Sequence, residues 1–151
     1  MSWLPPPLET PRLTLRSLAA APGEAAASVE RPDDLPGLPS NWSLLDRESG
    51  AVIGTIGFIR WERESRSAEL GFMLAPSRRR SGLMTEAIQA VRAFGFDALK
   101  LSEIVALVQP SNIPAIRLLE KAGFIPAETV RKRLHSEGEP EALVVFRLVA
   151  P

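Results

Sequence analysis

The segment between residues 69 and 109 constrains the fold of this chain more than any other part of its sequence. The apolar run Leu70–Leu74 predicts a strand, and it ends at a basic turn. From Gly82 to about Leu99, apolar residues recur at three- and four-residue steps, which predicts an amphipathic helix. The nearly continuous apolar run Glu103–Gln109 predicts a second strand, buried on both faces. A strand, a helix and a strand in this order predict a parallel crossover within a sheet.

The turn between this first strand and the helix is basic and contains a glycine. It carries Arg78, Arg79 and Arg80, followed by Ser81-Gly82. The amide N–H groups of a first helical turn have no partner inside the helix, and the helix dipole adds positive potential there. A strand, a basic turn with glycine and a helix start are therefore typical of a site that holds a phosphorylated ligand. A solvated surface turn is the competing interpretation of the three arginines.

The rest of the chain predicts strands on both sides of this segment and a second helix after it. In chain order the predictions are an irregular tail over residues 1–10, a strand at 11–18, a short helix at 19–29, a loop at 31–40, a hairpin over 42–60 and, after the crossover, a helix from Asn112 to Gly123 and a hairpin over 129–149. Asn112 suits the N-cap of that helix, and Gly123 suits a left-handed C-terminal cap. The whole order predicts an α/β fold with a mixed sheet, in a single domain over residues 1–151.

Composition argues against several classes of function. The 18 lysines and arginines balance the 18 aspartates and glutamates, which argues against a general nucleic-acid binder. The chain has no cysteine, so disulfides, thiolate catalysis and cysteine metal sites are excluded, and a reducing cytoplasm is favoured. No apolar run approaches the ~20 residues needed to cross a bilayer, and the N-terminus lacks the pattern of a signal peptide. We therefore expect a cytoplasmic protein without nucleic-acid or membrane partners.

Histidine and tyrosine are scarce, which narrows the possible chemistry. The chain has one histidine, His135, and no tyrosine. Any Ser-His-Asp triad would have to use His135. That residue lies in the polar segment RKRLHSEGEP, where a solvated turn residue is the favoured interpretation. No metal site is predicted.

Two separate blocks resemble the GNAT family of acyl-CoA-dependent N-acetyltransferases, and within it the RimJ/RimL-type group, which acetylates protein N-termini. The stretch Arg79–Met84 is similar to the family's pyrophosphate signature of Arg or Gln, two residues, Gly, one residue, and Gly or Ala. Thr85-Glu86-Ala87 continues as in the RimJ/RimL group. The stretch Asn112–Phe124 is similar to the family's second block through Asn112, Ala115, Leu119, Gly123 and Phe124, and TPRLTLRSL resembles the group's first strand. The resemblance implies a GNAT-type α/β fold, with a mixed central sheet of about seven strands and helices on both faces.

The resemblance also implies that the ligand is acetyl-CoA, which leaves as CoA. The candidate coenzyme-binding residues are Phe72, Met73, Leu74, Arg79, Arg80, Ser81, Gly82, Leu83, Met84 and Asn112. Backbone amides from Arg79 to Met84 would bind the pyrophosphate, and those of residues 72–74 would bind the pantetheine arm where the family's sheet opens. Asn112 would contact that arm from the other side, although a helix cap alone is an equal interpretation. Arg80 stands where the family usually has glycine, so its backbone is expected to avoid the left-handed region.

The implied reaction is direct attack of a primary amine on the thioester. Glu69 is the candidate base, acting directly or through water, and the backbone N–H of Met73 could stabilise the oxyanion. An ordinary solvated or salt-bridged glutamate is the competing interpretation of Glu69. Many relatives place a tyrosine as general acid where this chain has Leu119, so a water would have to serve, or catalysis is weak or lost.

The sequence leaves three functions open. Acetylation of a peptide or protein N-terminus is favoured by the RimJ/RimL resemblance. Acetylation of a small-molecule amine or antibiotic on the same scaffold is the second. A non-catalytic acyl-CoA-binding module is the third, suggested by the missing tyrosine and by the short 19–40 segment, where the family places two helices that shape the acceptor pocket. Either a monomer or a homodimer is compatible with these functions.

Overall fold

The structure, a computed structural model, describes residues 5–17, 41–133 and 137–151. In chain order its elements are β1 (Leu8–Glu9), β2 (Leu13–Ser17), β3 (Asn41–Asp46), β4 (Val52–Glu62), β5 (Ser67–Leu74), a short 3₁₀ helix (Pro76–Arg78), α1 (Leu83–Asp97), β6 (Glu103–Val108), α2 (Ile113–Lys121), β7 (Ile125–Arg133) and β8 (Pro140–Val149). The helix and loop expected between residues 19 and 40, and His135, lie outside the described residues. None of the helices in these ranges is long and apolar enough to cross a membrane.

The strands form one mixed sheet in the order β1-β2-β3-β4-β5-β6-β8-β7. The pair β5–β6 is parallel and its crossover is α1, while the other neighbours are antiparallel. The expected mixed sheet and parallel crossover are therefore confirmed. The crossover also explains why a basic turn and a helix start follow directly at the end of β5.

One strand appears where the sequence predicts an irregular tail over residues 1–10. Leu8 pairs with Leu15, and Glu9 pairs with Thr14. The pairing is possible because Thr10 closes a tight turn: its N–H donates to the Leu13 carbonyl at 2.9 Å, and the Leu13 N–H donates back to Thr10 Oγ1 at 2.9 Å. This short strand accounts for a sheet of eight described strands, compared with the expected seven or so.

A core of apolar side chains lies between the sheet and α1. The face that α1 buries consists of Leu83, Met84, Ala87, Ile88, Val91 and Gly95. Trp42 of β3 contacts Phe58 of β4 and Phe94 of α1 edge to face, with ring centroids 6.5 and 5.4 Å away. Because each large buried side chain contributes about 2 kcal/mol, this cluster fixes α1 against the centre of the sheet. Arg92 of α1 donates from Nη1 to the carbonyl oxygen of Ala122 at 2.8 Å, which holds the end of α2 beside α1.

The sheet opens between β5 and β6. These strands pair at three positions, from Ser67–Glu103 to Glu69–Val105. Beyond Glu69, β5 stays with β4 as far as Leu74, while β6 stays with β8 as far as Val108, so the two strands diverge. The opening also corrects the prediction that β6 is buried on both faces. Its residues alternate between half-buried and buried, because one face of the strand packs in the core and the other does not.

Candidate functional site

A cleft of about 1030 Å³ lies at the open end of β5, between the turn before α1 and one side of α2. The residues that the sequence predicts as coenzyme contacts all line it: Phe72, Met73, Leu74, Arg79, Arg80, Ser81, Gly82, Leu83, Met84 and Asn112. The fold therefore brings together three stretches, at 72–74, 79–84 and 112, that are separate in the sequence. Parallel pairing of β5 with β6 places the starts of α1 and α2 at the same edge of the sheet, which is the reason for this arrangement.

The turn over residues 79–84, called the coenzyme loop below after the ligand that the sequence predicts for it, leaves the start of α1 open. Gly82 is the N-cap of α1 with φ +80°, a left-handed conformation that glycine adopts without steric cost. No side chain in the described residues caps this helix start. The first amide N–H groups of α1 therefore face the cleft without a capping oxygen, as an anion-binding site requires.

Arg80 differs from the expectation that its backbone avoids the left-handed region. Its φ is +64°, well inside that region. For a residue with a Cβ this conformation costs roughly 1 kcal/mol. It arises because the chain must reverse between the 3₁₀ helix and α1 within four residues, a reversal that Ser81 tightens by donating from Oγ to the Arg78 carbonyl at 2.7 Å.

The three arginines of the turn have different surroundings. Arg78 forms an ion pair with Asp46 at the end of β3. Its hydrogen bond is the main reason that the pKa of Asp46 is lowered from its ordinary value. Arg79 donates from Nε to the carbonyl oxygen of Leu74 at 3.2 Å, and Arg80 is exposed. The interpretation of all three as a solvated surface turn is therefore wrong for Arg78, which anchors the turn to the sheet.

Two cations on α2 that the sequence analysis missed line the same cleft. They are Arg117 and Lys121, one helical turn apart. With Arg79 and Arg80 they place four cations around the cleft against one acid, Glu120. None of the four lies within 4.0 Å of a carboxylate in the part of the chain that the structure describes. Their spacing on the side of α2 away from its apolar stripe is the signal that could have identified them.

Glu69 does not line the cleft. It lies at the last paired position of β5 and β6, where the sheet begins to open. Its side chain is 15% exposed, and Oε1 lies 3.9 Å from Nζ of Lys132 on β7. Leu119, where the resemblance implies that many relatives have a tyrosine, is completely buried. The structure thus assembles the predicted coenzyme contacts but leaves the predicted base beside them, in an ion pair.

The family is decided by comparison with known proteins. The model of the acetyltransferase (GNAT) domain matches residues 1–125. This chain belongs to the GNAT acetyltransferase family. The family membership and the GNAT-type fold that the two sequence blocks imply are both confirmed.

Individual GNAT relatives are moderately similar to this chain. A Bacillus subtilis protein named uncharacterized N-acetyltransferase YoaA is 36% identical over 110 residues, which is 73% of this chain and 62% of that protein. A ribosomal-protein-S5-alanine acetyltransferase from Vibrio fischeri has a TM-score of 0.67 and 22% identity over 72% of this chain and 60% of its own. A spermidine N-acetyltransferase from Vibrio cholerae has a TM-score of 0.63 and 22% identity over 72% and 63%. The chain spans about three fifths of the length of each, and the two structures show a shared fold.

Proposed function

We propose that this GNAT-family chain transfers an acetyl group from acetyl-CoA to a primary amine. The observation that carries the proposal is the start of α1, which no side chain of the described residues caps and which opens into a cleft with four cations that pair with no described carboxylate. The chain as a whole is neutral, so this concentration of positive charge is local. A ligand with several phosphates and a long uncharged arm fits such a cleft, and coenzyme A has that chemistry.

The chain's own residues would hold the coenzyme in two ways. Amide N–H groups of the coenzyme loop would donate to the diphosphate, supported by the dipole of α1. Phe72, Met73 and Leu74 continue β5 beyond its pairing with β6, so their backbone groups on that side have no strand partner among the described residues. Buried backbone groups need hydrogen-bond partners, and the amides of the pantetheine arm would supply them.

When bound, acetyl-CoA supplies the acetyl group as a thioester. The C–N bond to a neutral amine forms as the C–S bond of the thioester breaks, and the departing thiolate takes up a proton. The Met73 N–H would donate to the carbonyl oxygen as negative charge develops there. Glu69 would accept the amine proton through a water, because it lies outside the cleft lining. A water would protonate the thiolate, since the chain has no tyrosine.

The acceptor that we favour is a peptide or protein N-terminus, met in the cytoplasm. Support comes from Thr85-Glu86-Ala87 and the TPRLTLRSL strand, which resemble the RimJ/RimL group. The fold does not separate a protein from a polyamine acceptor, because the ribosomal-protein and spermidine enzymes are about equally similar to this chain. A small-molecule amine is therefore the second candidate. An acyl-CoA-binding module is the third, favoured by the buried Leu119 at the position of the general acid.

Thiol release from acetyl-CoA, measured with a panel of peptides and with spermidine, tests the proposal. Turnover with peptides and not with polyamines is the expected result. Tight binding of acetyl-CoA by calorimetry without turnover on any acceptor would favour the binding module. Absence of binding to any CoA ester would refute the proposed function.

Substitution of Glu69 by glutamine tests the proposed base. We expect Glu69→Gln to lower kcat roughly 100-fold while the Kd of acetyl-CoA stays unchanged, because a lost general base affects the chemical step and not coenzyme binding. Lys132→Met is the matched control, since it removes the other half of the same ion pair. If Glu69→Gln and Lys132→Met lowered stability equally and both kept full turnover, Glu69 would have only the structural role.

A further inference from the structure

The turn between β1 and β2 is joined to the first turn of α1 through one carboxylate. Thr10 donates from Oγ1 to Glu86 Oε1 at 2.8 Å, and the Arg12 N–H donates to the same oxygen at 3.2 Å. The Arg12 Nε forms an ion pair with the other oxygen, Oε2. Residues 74 positions apart are thus connected, and both oxygens of Glu86 are used.

The guanidinium of Arg12 also contacts the coenzyme loop directly. Its Nη1 donates to the carbonyl oxygen of Ser81 at 2.9 Å. Its Nη2 lies 3.2 Å from the point that a Cβ on Gly82 would occupy. One side chain therefore bridges the body of α1, through Glu86, and the two residues of the loop that precede the helix.

The base of this bridge is held firmly by the sheet. Arg47, the residue after β3, donates from Nη1 to the Thr10 carbonyl at 2.9 Å and from its N–H to the Arg12 carbonyl at 3.0 Å. Its neighbour Asp46 holds Arg78 on the other side of the loop. The same corner of the sheet therefore fixes both ends of the coenzyme loop.

The loop requires such support because its own conformation is unfavourable. Arg80 has a left-handed backbone, and three consecutive arginines repel one another. Within the bridge, the Glu86 carboxylate pairs with Arg12 and so neutralises the cation that reaches the loop. Burial of the Glu86 carboxyl acts to raise its pKa, but the hydrogen bonds from Thr10 and Arg12 outweigh this effect and lower it. Glu86 is therefore ionised at neutral pH.

We propose that Arg12 and Glu86 are positioning residues that hold the coenzyme loop in its phosphate-binding conformation. The inference rests on the proposed function, since the loop's ligand is taken to be coenzyme A. Neither residue lines the cleft, so both act through the loop and not by touching the ligand.

Calorimetry with CoA and steady-state kinetics with acetyl-CoA test this role in Glu86→Gln, Arg12→Met and the double variant. We expect each single variant to raise the Kd of CoA and the KM of acetyl-CoA at least about tenfold, while kcat and the KM of the amine change less than twofold. The double variant should lose no more than either single one, because both break the same bridge. Arg12→Lys, which keeps the charge, should recover part of the affinity.

Glu128→Gln is the control, because it breaks another arginine–glutamate ion pair, the one with Arg147 of β8, and neither of these residues lines the cleft. Because Glu128 is 53% exposed and Arg147 keeps its ion pair with Glu103, the variant should lower the Tm less than Glu86→Gln does, and it should leave the Kd of CoA unchanged. Unchanged affinity in Glu86→Gln, or an equal loss in Glu128→Gln, would overturn the proposal. If the wild type bound no CoA, the proposed function would fail. Amide hydrogen exchange would then still test the bridge. Equal exchange rates of residues 79–84 in Glu86→Gln and Glu128→Gln would contradict the role of the bridge in holding the loop.

Discussion

The two helices that line the cleft begin in opposite ways. Asn112, the N-cap of α2, accepts a hydrogen bond at Oδ1 from the Ala115 N–H at 3.3 Å, and Pro114 in the first turn has no N–H to satisfy. Gly82, the N-cap of α1, has no side chain to offer. The amide groups at the start of α2 thus have local acceptors, whereas no described side chain supplies an acceptor at the start of α1. The difference supports the proposal that the negative charge of the ligand lies at the start of α1.

The two starts also differ in what supports them. The residues that cap α2 are its own, so any chain with the same few residues could form it. The start of α1 takes its conformation from distant residues, Arg12 on one side and Asp46, through Arg78, on the other. A helix whose first amide N–H groups are left free for a ligand has no local cap. Distant residues must therefore hold its start in place.

The largest effect is expected from a side chain at the open helix start. Gly82→Val should abolish measurable CoA binding, at least about a 100-fold loss, because valine strongly disfavours φ +80° and its side chain would press on Arg12 Nη2. Calorimetry with CoA measures the loss, and circular dichroism shows whether the fold remains. Gly50→Val is the matched control. Gly50 has φ +78° in the β3–β4 turn, and no atom lies within 4 Å of its would-be Cβ.

Both variants should cost a similar amount of backbone strain, roughly 1–3 kcal/mol, and only Gly82→Val should affect the coenzyme. If the two variants lost stability equally and both still bound CoA, the start of α1 would not be the phosphate site. The contrast between the two helix starts would then have no functional meaning.

A smaller effect is expected from the capped helix start. Asn112→Ala should lower the free energy of unfolding by about 1 kcal/mol through loss of the cap, and weaken CoA binding about tenfold through loss of a contact with the pantetheine arm. Asn112→Ser separates these effects, because serine can cap the helix but does not reach as far into the cleft. Thermal unfolding and calorimetry on both variants provide the measurements.

The expected result for Asn112→Ser is nearly normal stability with weakened CoA binding. Full affinity in both variants would show that Asn112 is a cap alone. The start of α1 would then bind the ligand, and the residues at the start of α2 would only stabilise the helix.

The sequence predicted the parts of this site that depend on local pattern. The strand at 70–74, the crossover helix, the Asn112 cap and the left-handed Gly123 each follow from a few neighbouring residues, and the structure has all four. The two short blocks at 79–84 and 112–124 were enough to imply the family. What local pattern cannot show is which distant side chains meet.

The predictions that failed concern contacts across the fold. Arg80 is left-handed because of the reversal between two helices, which depends on tertiary position and not on the residue itself. Arg12 and Glu86 belong to two motifs that the sequence analysis noted separately, and nothing in the sequence indicates that they touch. Arg117 and Lys121 were overlooked because a charged face on a helix is ordinarily a solvated one.

The smallest expected effect is a pH dependence that distinguishes the two helix starts. The support of α1 includes an ionised carboxylate, whereas the cap of α2 is uncharged. Because the pKa of Glu86 is lowered in the folded chain, its stabilisation is complete above its ordinary value of 4.5 and is lost as the pH falls through the lower, folded value. Wild type should therefore exceed Glu86→Gln in Tm at pH 7, and the two should converge in acid. The difference between wild type and Asn112→Ser should stay constant over the same range, and a gap between wild type and Glu86→Gln that did not shrink as the pH fell through the folded pKa of Glu86 would show that its carboxylate charge does not hold α1.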